Sequence, residues 1–426
     1  MSEEEKAPET TPLRPPKDRA NVFPGVGPAG PGPADGPVLP RLQLLLASQS
    51  PARLATLQAA GVEPLVQVSH VDEEALLARL ERGGASPAQK VLALASAKAR
   101  AVAGALPAAA QPTADFVLGC DSMFEFAGEV HGKPHSPAVA RERLRQMRGN
   151  SGVLHTGHCL VHAGTLRSLG AVSHARVHFA PLSDSEIDAY IATGEPLEVA
   201  GSFTTDGRGG PYIEKIDGDY HGVVGLSLPL LRRMAAEYGL SFTQFWAAPA
   251  TPARGVLPAW TAQLLASTRK GRYSHGADGF MLSQDGTRHW GMKGAAGVAV
   301  FRRTAAGRLE LLMQHRSQWS HGGGTWAVAG GAIEWDETPR EGALREFGEE
   351  TGIPASALSI CAKHVADRGD WQYTTFVARI DGEVSPVPDA ESIALQWVDI
   401  DAVESLPLLP SFAASWHQVR ALAAKI

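Results

Sequence analysis

The sequence predicts two α/β domains in tandem behind a proline-rich tail. Three observations point there. The chain has 426 residues, enough for two or three domains at ~100–200 residues each. Short apolar runs of strand type alternate with capped amphipathic segments in both halves, the pattern of an α/β protein. Between the halves, Ala247-Ala248-Pro249-Ala250-Thr251-Pro252-Ala253-Arg254-Gly255 reads as a linker.

The elements follow in order. Residues 1–40 hold 10 of the 30 prolines and 5 of the 45 glycines. Such a stretch cannot bury enough surface to offset its ordering entropy, so a disordered tether is expected. Leu42–Leu46 is a run of buried-strand type. Ser50 then caps a helix from Pro51 to Ala60, with proline in the first helical position and Gly61 where a C′ glycine belongs. A second helix covers 87–103, a strand covers 116–119, and a hairpin-like piece ends at Gly132-Lys133-Pro134. A helix over 137–147, strands over 152–163 and 174–179, and a helix over 184–193 continue the first domain, 41–246. The linker spans 247–271, with a short helix over 258–267. The second domain, 272–426, has strands at 297–302 and 309–314, one strongly charged helix at 339–351 and a last helix at 411–425.

Composition excludes several classes. Lys+Arg 39 against Asp+Glu 45 gives a net charge of -6, which argues against a protein that coats nucleic acid. Small phosphorylated ligands need only a few placed cations and stay open. No window approaches the ~18 apolar residues of a membrane span, and the Met-Ser-Glu-Glu-Glu-Lys start lacks the basic and apolar segments of a secretory signal. Three cysteines, Cys120, Cys159 and Cys361, form neither a disulfide framework nor a metal motif. A cytoplasmic protein is expected, and a homodimer is left open.

The most specific pattern is Gly331, five residues, Glu337, seven residues, then Arg345-Glu346-Phe347-Gly348-Glu349-Glu350-Thr351-Gly352-Ile353. Glu346, Glu349 and Glu350, at i, i+3 and i+4, project from one helix face, while Leu344 and Phe347 pack the other way. Three like charges repel, and a hard divalent cation would relieve them. Arg345 can pair with Glu349 one turn on. A triple glutamate alone also reads as a solvated acidic face. The whole arrangement, however, resembles the Nudix box at all nine specified positions, with Ala329 replacing the usual proline as the one peripheral departure. That resemblance, over 272–426, implies an α/β/α sandwich that hydrolyses a nucleoside diphosphate linked to another group. It implies Glu346 and Glu350 as ligands of Mg²⁺ or Mn²⁺, Glu349 as a further ligand or as the base, and Glu337 among the carboxylates that handle metal or water. Trp319, Trp326, His315 and Arg316 are candidates for a base pocket, although each also reads as core or rim.

In the first half, Ser48-Gln49-Ser50-Pro51-Ala52-Arg53 sets hydroxyls and unpaired N–H groups at a helix start, which suits an anion, and Arg53 adds a planar fork. Ordinary capping explains the serines equally well. Asp121 is expected just past a strand's C-terminal end, where α/β sheets place reactive groups. With Asp72-Glu73, Lys98-Ala99, Asp121, Gly132-Lys133-Pro134, His155-Thr156-Gly157, Gly194-Glu195-Pro196 and Val223-Val224-Gly225-Leu226 in order, the half resembles the Maf family of nucleotide pyrophosphatases. The resemblance covers 42–246 and implies a mixed sheet. The implied reaction cleaves nucleoside triphosphates, modified ones included, to monophosphate and pyrophosphate. Asp121 would be the base. Ser50, Arg53, Lys98 and Lys133 would hold phosphates, and Glu73 would help bind Mg²⁺ or Mn²⁺. Ser122 and Asp206 bear on the base. Ala52 and Asp206 stand where many members have Arg and Gln, the pair kept by the branch preferring dTTP and UTP; the Ala200-Gly201-Ser202-Phe203 run with Asp206 three places on resembles the branch preferring 7-methyl-GTP, and the choice stays open. The alternative to a bifunctional enzyme is one catalytic half beside a nucleotide-sensing or cell-division-related interaction module.

Overall fold

The computed structural model describes residues 40–106, 114–247, 276–317, 322–381, 384, 386–389, 391–424 and 426. The tail, most of the linker and its expected helix lie outside them, as does Trp319.

The first half is built on a mixed nine-stranded sheet. Strand β1 (Leu44–Leu46) runs parallel to β2 (Leu65–Val66) and to β3 (Phe116–Phe126). From β3 the sheet continues antiparallel through β5 (Ser151–His162) to β6 (Ser168–Phe179), with β4 (Glu129–His131) beside β3 and β7 (Ile213–Gly218) beside β6. Alternation sorts the side chains. Leu44, Leu46, Phe116 and Leu118 join one core with Leu57 of α1 (Pro51–Ala59) and with Leu230, Leu231 and Met234 of α7 (Leu228–Glu237). Leu45 and Val117 face the opposite core, under α3 (Pro87–Ala105) and α2 (Glu73–Arg82). The remaining helices of this half are α4 (Pro137–Met147), α5 (Asp184–Ala192) and α6 (Tyr220–Val224).

Helix α3 lies against β3 at a glycine. A Cβ on Gly119 would collide with the Ala95 carbonyl oxygen and stand 2.8 Å from the Ala99 nitrogen. Gly119→Ala should therefore push α3 off the sheet and cost about 1–3 kcal/mol through overpacking. Because α3 carries Lys98, the triphosphate cleavage expected of this half should fall with it. A thermal melt and a rate together check this, and an unchanged Tm would refute it.

The sequence places residues from 272 onward with the second domain, and two strands of that stretch, Phe280–Leu282 and Arg288–Trp290, join the sheet of the first. Strand β8 (Phe280–Leu282) runs parallel to β6 through Leu169 and Gly170, and β9 (Arg288–Trp290) closes the edge. The pairing joins residues more than a hundred positions apart, so no local pattern announces it.

The second half has a seven-stranded sheet in the order β12 (Trp326–Ala327), β11 (Leu309–Arg316), β10 (Ala295–Arg303), β15 (Gln372–Ile380), β14 (Leu358–Asp367). Strand β13 (Ala329–Ala332) pairs with β10, and β16 (Ser392–Asp399) with β11. One face packs Ala296, Val298 and Val300 against Ala343 and Phe347 of α8 (Pro339–Thr351). The other packs Ala299 and Phe301 against Trp416 and Val419 of α9 (Pro410–Ala423). This is the expected α/β/α sandwich. No described helix is long and apolar enough to cross a membrane.

Candidate active sites

The first site forms where β1 stops. Leu46 pairs with Leu118, and beyond it β3 has no parallel neighbour. The strand does not end at Gly119 as expected. It continues to Phe126 because β5 supplies a long antiparallel partner, so Asp121 sits within the strand, opposite Gly157. Asp121 is nevertheless past the end of the parallel segment, and its carboxylate meets Lys98 at 2.7 Å. The same ammonium lies 2.9 Å from Glu73, the first residue of α2. Burial pushes the Asp121 carboxyl up, and Lys98 and Arg53 pull it back.

Arg53 is turned inward. Its Nε donates to Gly225 O at 2.9 Å, Nη1 to Cys120 O and Ser48 Oγ at 2.9 and 3.1 Å, and Nη2 to Ser122 Oγ at 3.2 Å. Four donors tie the loop after β1 to β3 and to the end of α6, so Arg53 builds the pocket wall. Ser50 caps α1 by accepting from Arg53 N at 3.4 Å. Ser122 Oγ meets Thr156 Oγ1 at 2.9 Å, and that hydroxyl donates to Gly222 O at 2.8 Å. Sequence reasoning missed Thr156 as a site residue, since its role depends on the β3–β5 register. Glu73, Lys98, Asp121, Ser50, Arg53 and Ser122 are thus gathered. Lys133, half-exposed and 3.8 Å from Glu198, and the exposed Asp206 make no hydrogen bond or ion pair with them among the described residues.

The second site rests on α8. Thr338 and Glu341 form a capping box, Pro339 opens the helix and Gly352, at φ 69°, ends it. Phe347 anchors the apolar face. Glu350 is 5% exposed and accepts from Gly330 N at 2.7 Å. A Cβ on Gly331 would collide with the Glu346 carboxylate, so this glycine leaves the room that acid occupies. Arg345 does more than the expected pairing with Glu349, 3.3 Å away. It grips both oxygens of Glu337 at 2.6 and 2.9 Å and reaches Glu346 at 2.7 Å. Glu337 is therefore the clamp on Arg345, and it also accepts from Glu334 N at 2.9 Å. Burial, helped by a neighbouring carboxylate in each case, pushes Glu346 up to about 7 and Glu350 up to about 8.

That excess of buried acid fits a hard divalent cation. Among the described residues no three potential ligands stand close enough to cage an ion as placed; Arg345 supplies the countercharge instead. In the proposed base-pocket group, His315 stacks on Trp326 at 4.6 Å and 6°.

The two halves share this site's surroundings. Trp335, within the Gly331–Glu337 turn, is 2% exposed and belongs to the apolar core of the first half. Arg79 of α2 pairs with Asp336 at 3.3 Å. Arg100 of α3 donates to Gly276 O at 2.8 Å and to Asp278 O, and Ala277 N donates to Glu334 at 3.0 Å. This strap carries Asp278 into the electrostatic field of Arg345 and Glu349, where burial raises its carboxyl.

A family model for Maf-like proteins matches residues 43–238, and one for the NUDIX domain matches residues 293–419. A nucleoside triphosphate pyrophosphatase/Nudix hydrolase fusion protein of Bifidobacterium longum is 36% identical, covering 89% of this chain and 98% of its own. The chain belongs to this family of Maf-like/Nudix fusion proteins. A nucleoside triphosphate pyrophosphatase of Salinispora tropica is 54% identical over 48% of this chain and 88% of its own. The crystal structure of a Nudix hydrolase from M. smegmatis, RenU, is 42% identical over 35% of this chain and 96% of its own, with a TM-score of 0.33. The Maf-like half thus contains Glu73, Lys98 and Asp121, and the Nudix half contains the glutamates of α8. The β8–β9 hairpin and the Asp278 strap fall between the two matches.

Proposed function

We propose that the chain is a bifunctional nucleotide hydrolase with one phosphoanhydride-cleaving centre in each half. The Maf-like half cleaves nucleoside triphosphates between the α and β phosphates, giving monophosphate and pyrophosphate. The Nudix half cleaves a nucleoside diphosphate linked to another group. The observation that carries this reading is the Asp121–Lys98–Glu73 bridge, in which one ammonium meets two carboxylates at 2.7 and 2.9 Å at the open end of a parallel strand.

In the Maf-like half Asp121 takes the proton from the attacking water, and Lys98 orients it and pulls its carboxyl back down against burial. Ser50 and Lys98 meet the phosphates, Arg53 holds the wall in place, and Lys133 approaches from the exposed β4 end. Glu73 would help hold a divalent ion. In the Nudix half Glu346 and Glu350 would hold the metal, and the exposed Glu349 would be a further ligand or the base that activates water. Mg²⁺ or Mn²⁺, when bound, shields phosphate charge and acidifies a bound water. Asp206 could accept from a purine N–H edge or face a cationic methylated base, which puts 7-methyl-GTP first among the triphosphates to try.

The test is a panel of canonical and methylated triphosphates and of diphosphate derivatives, read as pyrophosphate and phosphate release. It compares the intact chain with Asp121→Asn and Glu346→Gln. Each substitution should abolish one activity and spare the other. Triphosphate cleavage that survives Asp121→Asn would remove the base assignment.

A further inference from the structure

The turn that supports the Nudix centre is seated on the Maf-like half. Lys293 lies between them, 8% exposed. Its ammonium donates to three main-chain carbonyls: Gly83 at 3.1 Å, Trp335 at 3.0 Å and Glu337 at 2.6 Å. All three donors are spent, and among the described residues they meet carbonyl dipoles rather than a carboxylate. Gly83 caps the C-terminus of α2, where the helix dipole presents its negative end. Trp335 and Glu337 belong to the Nudix box, and the Glu337 carboxylate is the one that clamps Arg345. Glu337 is thus pinned at both ends, by Lys293 through its carbonyl and by Arg345 through its side chain. Arg345 in turn holds Glu346.

Gly83 is required by contact, not conformation. Its φ is −78°, open to any residue. A Cβ there would stand 2.7 Å from Trp335 O, 2.9 Å from Lys293 Nζ and 3.1 Å from the Asp336 carbonyl carbon. None of these can yield without moving the box turn or the ammonium.

We infer that Lys293 is a positioning residue of the Nudix centre and that Gly83, a residue of the Maf-like half, is the seat that makes the arrangement possible. The inference rests on the reading of Glu346 and Glu350 as metal-holding groups. It makes a methyl group placed in one domain a selective lesion of the other domain's chemistry.

The experiment uses the full chain and Gly83→Ala, Lys293→Met, Lys293→Arg and Glu350→Gln. Three readouts are taken: binding of Mn²⁺ alone by calorimetry, kcat and KM for the diphosphate derivative that the panel selects, and triphosphate turnover with Tm. Gly83→Ala should lower Nudix kcat about tenfold and weaken Mn²⁺ at that site severalfold. Its KM should stay within about twofold, and its triphosphate turnover should be unchanged. Lys293→Met should lose about a hundredfold in kcat, the scale of an ångström-level misplacement, and Lys293→Arg should recover part of it. Gly83→Ala with normal Nudix kcat and Mn²⁺ affinity would overturn the seat. So would equal losses of both activities in step with lost folded protein. Glu350→Gln separates the two layers. If it binds Mn²⁺ as well as the parent does, the metal assignment itself has failed; if it alone loses the ion, only the seat has.

Discussion

Arg345→Met should abolish Nudix turnover, by a thousandfold or more, and lower Tm by about 6–20 °C in the absence of metal. The guanidinium is shared by Glu337, Glu346 and Glu349, and its own proton affinity is raised above the usual arginine value mainly by its hydrogen bonds to Glu337. Removing one partner of a half-buried ion cluster leaves uncompensated charge, which costs about 3–5 kcal/mol, and each kcal/mol is worth ~2–4 °C at this size. Millimolar Mg²⁺ or Mn²⁺ should restore much of the Tm but little of the rate. A cation can replace the missing countercharge, whereas it cannot re-aim Glu337 and Glu346. Melting curves with and without metal check this, and a metal-free Tm equal to that of the parent would refute it.

Lys98→Met should cost the Maf-like activity about 10²–10⁴-fold at neutral pH. Asp121 is already raised by burial, and Lys98 is the strongest influence holding it down. Without the ammonium the carboxyl rises further, so the ionised form appears only at higher pH. The acid limb of the pH–rate profile should therefore move upward, and raising the pH should recover part of the loss. Lys98→Arg should hold the limb nearer its original place. An acid limb that stays put in Lys98→Met would show that Asp121 is not the group being read.

Much of this was legible in the residues, and the reasons differ by element. Helix α8 is legible with its bounds because its pattern is local: the glutamate spacing and Gly352 lie within one run, and the structure adds the Thr338–Glu341 cap. Helix α1 and its Ser50 cap were legible in the same way. Asp121 was misplaced relative to its strand because β3 continues only where β5 pairs with it, and that partner lies some 35 residues on. Arg53 looked like a phosphate fork from its position in Ser-x-Ser-Pro-x-Arg. Its inward bonds to Gly225 and Cys120 depend on chain return. Glu337 reads in the sequence as one more carboxylate, and its role as the clamp follows from Arg345 gripping both its oxygens. Lys293, Arg100 and Asp278 had no motif at all, since contact between the halves is their signal.

The β8–β9 hairpin has a consequence for synthesis. Strand β6 receives its outer neighbour at Leu169 and Gly170 from Phe280 and Met281. At ~5–20 residues per second, a ribosome makes those residues roughly 5–20 s after the strand they cover. For that interval the nascent first domain presents an unpaired edge, the kind of surface on which chains misassociate. Its sheet is finished only after the linker has been translated.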